Sequence, residues 1–207
     1  VVGLIGQLSE RVDLDLLFAV AELDCTLLLV GPHRAGWAPD RFAELTGRPN
    51  VVYAGQVPPA SLPGYLGAID VGITPYADSA FNRASFPLKT LEYLAAGRAV
   101  VSTDLPATRW LATDLVRTAR GPVEFAATVL AALPTAHDPL LTARRRAFAA
   151  EHSWPRRAEQ FAGLLGLTAE PTCRTPAEPI DRTPAEPIDR TPRASQQATP
   201  RDREEIR

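Results

Sequence analysis

The chain has 207 residues, 45% of them hydrophobic, and 22 Lys and Arg nearly balance 24 Asp and Glu for a formal net charge of −2. It is long enough for one sizeable core, and the charge balance argues against a nucleic-acid or polyanion partner. No apolar run approaches a membrane span, no secretory signal stands at the start, and no His/Cys cluster suggests a metal.

Val1 to Ile5 is apolar and β-branched and runs into Gly6, Gln7, Leu8 and Ser9. A strand ending in a Gly turn, then a helix from about Asp13 to Leu23, is the opening of a doubly wound sheet. The full G-x-G-x-x-G is missing, so Gly6 reads either as a tight turn or as a close backbone approach to a diphosphate. The start at Val1, with no methionine anywhere, reads as the middle of a longer protein or an unusual start.

Thr26 to Val30 is a second apolar run closed by Gly31-Pro32, and Asp40 to Leu45 can form a short helix. Asn50 to Tyr53 is the third strand, and Gly55-Gln56-Val57 turns out of it. Ser61 can cap a helix to about Ala68, and Asp70 to Thr74 is the fourth strand, closed by Pro75-Tyr76. Asp78 to Ser85 reads as a polar loop. Open α/β sheets bind ligands beyond the carboxyl ends of their strands, which makes Tyr76 and Asn82 candidate wall residues.

The most informative stretch follows. Ser85 is placed to cap a helix that carries Pro87 in its first turn, and Leu88, Leu91 and Ala95 recur at helical spacing as a core stripe. Gly97 ends the helix, and Ala99 to Ser102 reads as a buried strand. Lys89, the chain's only lysine, and Glu92 are three apart and share a face. They read either as a surface pair worth a few tenths of a kcal/mol, or as a phosphate-reaching lysine beside a carboxylate that grips a ribose.

The segment Pro-Leu-Lys-Thr-Leu-Glu-Tyr-Leu-Ala-Ala-Gly-Arg-Ala-Val-Val-Ser-Thr resembles the donor-binding signature of GT-B glycosyltransferases of the group 1 (family 4) branch. Within it, the likeness is to bacterial polysaccharide and teichuronic-acid type enzymes, over about Val1 to Gly166. The resemblance implies that Glu92 holds the nucleotide ribose. It also implies that the loop after the first strand lines the donor site, with Arg11 neutralising a phosphate. Backbone at Val57 would read the nucleobase. The family often carries a second glutamate eight residues before the first, where this chain has Ala84. Either Asn82 or Ser85 supplies that polar contact, or the sugar is gripped differently.

After Ser102 come a short helix and a strand near Leu115 to Thr118. A helix from Pro122 to about Leu133 carries Phe125, Val129, Leu130 and Leu133 near one stripe. In the next helix, about Pro139 to Ala150, Arg144-Arg145-Arg146 reads as a solvated face, with weak attraction to anionic lipid as the alternative. His152-Ser153-Trp154-Pro155 leads into a last helix, and similar segments close the GT-B fold, where that helix returns toward the other domain. Beyond Leu167 the repeat RTPAEPID, starting at Arg174, predicts a disordered Pro-rich tail over 168–207. Cys25 and Cys173 are far apart without metal-ligand spacing and read as free thiols in a reducing, cytoplasmic compartment.

The expected architecture is α/β: a Rossmann-like, doubly wound parallel sheet of about six strands in order 3-2-1-4-5-6, the C-terminal half of a GT-B fold. The resemblance implies transfer of a sugar from a nucleotide-diphosphate donor to a glycan or lipid-linked acceptor, without a metal or other cofactor. A non-catalytic nucleotide-sugar-binding module acting with a partner chain and a GT-B-fold nucleotide-sugar epimerase remain open. With one Rossmann-like domain in view, an N-terminal acceptor domain or a partner chain is expected. No catalytic base is assigned, and the chain alone is expected to be inactive or weakly active.

Overall fold

The computed structural model describes residues 1–86 and 88–167, so the predicted tail over 168–207 and Pro87 lie outside the described residues. Six strands, β1 (Val2–Ile5), β2 (Leu27–Val30), β3 (Val51–Gly55), β4 (Val71–Thr74), β5 (Ala99–Thr103) and β6 (Val116–Ala119), form one sheet. All pairings are parallel and the order is β3-β2-β1-β4-β5-β6, as expected. Alternate residues of each strand enter opposite layers. Val2, Leu4, Leu27, Leu29, Ile73 and Val101 pack with α1 (Leu14–Ala21), α2 (Pro39–Thr46) and α7 (Gly121–Ala132). Ile5, Leu28, Val30 and Val100 pack with α3 (Leu62–Ala68), α5 (Leu88–Ala95) and α8 (Pro139–Glu151). Helices on both faces explain why the strands read as continuous apolar runs.

The sheet is not evenly paired. β1 stays in register with β2 as far as Ile5↔Val30, and β4 with β5 as far as Thr74↔Ser102. Between them, β1 and β4 pair only at Val2↔Val71 and Gly3↔Gly72. Both glycines of that last pair are backed by large side chains: an added Cβ would lie 2.3 Å from Ile69 at Gly3 and 2.3 Å from the Tyr93 ring at Gly72. Beyond them the two central strands part, opening the carboxyl edge of the sheet where the chain reverses its winding.

Five local expectations are corrected. The predicted polar loop Asp78 to Ser85 contains α4 (Ala80–Ala84), capped by Ser79, whose hydroxyl accepts from the Asn82 N–H. Ser85 is the C-cap of α4 and stands ahead of α5, which begins at Leu88, so it is not that helix's N-cap. The buried residues of α5 are Thr90, Tyr93 and Leu94, whereas Leu88 is 49% exposed. The stripe Leu88, Leu91, Ala95 instead lines an apolar groove of about 700 Å³ with Phe86, Trp110 and Trp154. The spacing was right for one face of a helix, but the aromatic Tyr93 buries more area and takes the core side. In α7, Phe125 and Val129 are buried but Leu130 is 56% exposed.

The fifth correction concerns the three arginines. Arg144 is exposed and pairs with Asp114, but Arg145 is only 4% exposed. It donates to the carbonyls of Gly97 (3.3 Å), Ala136 (2.8 Å) and Thr135 (3.2 Å). Gly97 is the left-handed residue of a Schellman end to α5, with its N–H on the Leu94 carbonyl and that of Arg98 on Tyr93. Arg145 therefore binds α8 to the end of α5 through carbonyls that helix termini leave without partners. Arg145→Ala is expected to destabilise the domain by about 3 kcal/mol, because it orphans buried carbonyls and removes charged hydrogen bonds. Arg144→Ala should stay within about 0.5 kcal/mol of wild type. Urea unfolding of the two variants checks the contrast.

Candidate functional site

Three glycines close the neighbouring strands β1, β2 and β3: Gly6 (φ 150°), Gly31 (φ 137°) and Gly55 (φ 67°). The Gly6 N–H donates to Val30 and the Gly31 N–H to Gly55. A Cβ on Gly31 would lie 1.9 Å from the Gly6 carbonyl oxygen, so only glycine permits this main-chain contact. The result is a floor of bare backbone at the carboxyl edge of the sheet. At Gly6 the nearest atom that an added Cβ would meet is the Lys89 Cε, 4.0 Å away. The lysine stem thus lies across the open side of the first turn.

Lys89 and Glu92 form an ion pair on α5, with side chains 25% and 44% exposed. The structure contains the surface ion pair, and it places the lysine stem beside the Gly6 turn. Glu92 faces two clefts. One is the apolar groove beside Trp110, and the other lies between α3 and α5, lined by Pro59, Leu62, Leu66, Lys89 and Arg98. Val57 is partly buried against the layer containing Ile5 and Tyr93.

Arg11, Tyr76 and Asn82 come together as a second group. The Arg11 guanidinium lies 5.3 Å from the Tyr76 ring centroid and 4.7 Å from that of Phe81. Its Nε donates to Asn82 Oδ1 at 3.2 Å. Asn82 is 2% exposed, and its Nδ2 donates to the carbonyls of Arg11 and Ala77, each at 2.8 Å. Its amide is spent on fixing two loops to each other, and the guanidinium is what those loops present. Burial pushes the Tyr76 phenol up, against the opposing pull of Arg11, so it stays neutral at ordinary pH. Ser85 lies beyond this group, at the end of α4.

Sequence reasoning missed Phe81 as a wall of the arginine cage and Tyr93 as a buried anchor whose hydroxyl accepts the Ile5 N–H at 2.8 Å. A sign of the second was available: Gly72 interrupts an apolar central strand, which marks a place where something large approaches. Among the described residues no group of three or more His, Cys, Asp or Glu is arranged to hold a metal ion.

The family described as group 1 glycosyl transferases matches residues 1–134. This chain belongs to that family. Among curated proteins, it is 42% identical over 110 residues to the "Putative teichuronic acid biosynthesis glycosyltransferase TuaH" of Bacillus subtilis (strain 168), covering 52% of this chain but 28% of that relative. Among solved structures, Anabaena HepE in complex with UDP shares the fold at TM-score 0.63 and 19% identity, over 80% of this chain and 48% of that one. Sucrose-phosphate synthase of Thermosynechococcus elongatus gives TM-score 0.63 at 21% identity, covering 80% and 44%. The catalytic domain of the Helicobacter pylori cholesterol-α-glucosyltransferase gives TM-score 0.59 at 20% identity, covering 73% and 98%. The chain thus spans about half the length of the first two solved structures and just over a quarter of the Bacillus relative.

In this member of the group 1 family, Asp104 closes the far end of the same edge. It follows β5 and accepts from Arg109 Nε at 2.6 Å and from Arg120 Nε at 2.7 Å, binding the ends of β5 and β6 to each other. Those hydrogen bonds hold its carboxyl at about 2, against an ordinary value of about 3.9. A folded-state pKa below the unfolded one contributes stability above about pH 4 that is lost as pH falls toward about 2. Asp104→Asn should therefore be less stable than wild type near neutrality, and the gap should close across that window. Urea midpoints measured from pH 7 down to pH 2 for both chains give the comparison.

Proposed function

We propose that this domain binds the nucleoside diphosphate of a nucleotide-sugar donor and serves as the donor half of an enzyme that passes the sugar to a glycan or lipid-linked acceptor. The observation that carries the reading is Lys89 lying across the bare Gly6 turn, with Glu92 one helical turn further on. A diphosphate laid on that turn comes close to the main chain and meets an ammonium, and a ribose beside it meets a carboxylate that accepts from a diol. Breaking the glycosidic bond leaves charge on the diphosphate. In this proposal Arg11, held in place by Asn82, stabilises that charge with little reorganisation, and Lys89 moves to meet it. Gly6, Lys89, Glu92, Arg11 and backbone at Val57 carry donor binding in this proposal, and Tyr76 and Asn82 hold Arg11. Ser85 is left as the polar group nearest in sequence to the Ala84 position where relatives carry a glutamate. The solved HepE complex with UDP and glucose is consistent with such a donor, and the Bacillus likeness with a cell-wall or surface polysaccharide as product. A cytoplasmic place of work is part of this proposal.

Calorimetric titration with UDP, GDP and ADP tests the reading. Glu92→Gln should weaken the nucleotide that binds by about 1–3 kcal/mol, the range for a lost charged hydrogen bond. Lys89→Ala should weaken it similarly, and by more at low salt, where its charge is less screened. Unchanged affinity in both variants would remove these residues from the site.

Acceptor chemistry belongs, in this proposal, to a second domain or chain facing the edge. The described site is open on one side. Transfer needs an oriented acceptor, which can lower a barrier by about 7–11 kcal/mol, and a cleft closed against water. Residues 1–167 are therefore expected to bind donor but turn it over slowly, with activity restored when the facing domain is added. Donor consumption assayed with and without that domain decides it; fast acceptor-dependent turnover by residues 1–167 alone would defeat this part.

A further inference from the structure

In β1 the even residues give their N–H groups to the β2 side, Val2 to Thr26 and Gly6 to Val30. The Ile5 N–H therefore faces β4, in the stretch where β1 and β4 no longer pair. A β4 carbonyl would normally accept it. Here the acceptor is the Tyr93 hydroxyl at 2.8 Å, from a side chain with no exposed surface. The ring lies in the space that Gly72 leaves on the sheet, so α5 reaches under β4 to take hold of β1. Thr74, on the same face of β4 as Gly72, and Thr90, one turn ahead of Tyr93, add two buried hydroxyls without hydrogen-bond partners among the described residues. The layer between sheet and helix is thus polar at the point of separation, and one hydroxyl spans it.

The residue held by that hydroxyl precedes Gly6, and the helix carrying it also carries Lys89 and Glu92. We propose that Tyr93 is the positioning residue of the phosphate site: its ring sets the distance of α5 from the sheet, and its hydroxyl fixes Ile5 so that the Gly6 turn faces Lys89. This rests on the nucleotide-diphosphate reading given above. Tyr93 touches neither donor nor acceptor and acts through Gly6 and Lys89. The bond also explains how the central strands can part without leaving a buried N–H orphaned, which would favour their closing together.

The test uses the full chain and four proteins: wild type, Tyr93→Phe, Lys89→Ala and the double variant, each titrated with UDP, GDP and ADP. Phe keeps the ring beside Gly72 and removes only the acceptor. Affinity is expected to fall about tenfold in Tyr93→Phe, equivalent to about 1.4 kcal/mol. The loss should largely vanish in the Lys89→Ala background, because groups acting as one unit are not additive. Losses that add fully would make Tyr93 a purely structural residue and overturn the proposal. Unchanged affinity in Tyr93→Phe would overturn it while leaving the nucleotide reading intact. No binding by wild type would remove both. Should Tyr93→Phe unfold, amide spectra of wild type decide instead. An Ile5 amide that shifts with nucleotide in step with Gly6 supports the positioning role, and an Ile5 amide that stays unmoved overturns it.

Discussion

Every group in the candidate site depends on the place where β1 and β4 stop pairing. Had their ladder continued past Gly3↔Gly72, the N–H and carbonyl groups at the strand ends would satisfy each other and leave no edge to approach. The two glycines make the separation sterically possible by giving Ile69 and Tyr93 room beneath the sheet. Strand order then does the rest. With β1 and β4 central and winding in opposite directions, their following loops diverge, and a ligand can reach the backbone between them.

On one side of that opening the chain presents backbone and Lys89; on the other it presents Arg11. The two cations are treated differently. Among the described residues Lys89 pairs with Glu92 alone, through a long unbranched stem that lets its charge be redirected. Arg11 is flanked by two aromatic rings and hydrogen-bonded by Asn82, whose own amide hydrogens fasten the loops after β1 and β4. The first can adapt to a ligand and the second defines a fixed wall. Asp104, with Arg109 and Arg120, continues the fastening to the ends of β5 and β6.

Much of this was legible in sequence, for identifiable reasons. The inner strands β1, β2 and β4 are short apolar runs ended by Gly or Pro, and burial on both faces leaves no alternation to confuse them. Lys89 and Glu92 were visible because helical spacing joins them and because their motif matches a known signature. What escaped had long-range causes. Nothing local shows that Tyr93 reaches Ile5, 88 residues away, or that Asn82 spans 71 residues to Arg11. The α5 stripe was assigned to the wrong side because periodicity gives a face but not its direction. A run of arginines looks uniform in sequence, yet of the three only Arg145 is buried, with its guanidinium on the Gly97 carbonyl at the end of α5. Short polar α4 was missed because its five residues carry too little pattern to separate from a loop.

The outward face of α5 gives the protein an optical handle. Two of its three tryptophans, Trp110 and Trp154, line the groove that Glu92 borders, while Trp37 packs with the core layer on the opposite face of the sheet. Trp110 meets Phe86 edge-on at 5.8 Å and carries Arg157 over its ring at 5.1 Å. Phe86 belongs to the segment joining α4 to α5, and so it stands between the arginine cage and the lysine. Any rearrangement of that segment changes the polarity and quenching around an indole that is already 58% exposed. Unlabelled emission from this chain therefore reports on the linker between the two cationic walls, with Trp37 as a built-in reference on the other face.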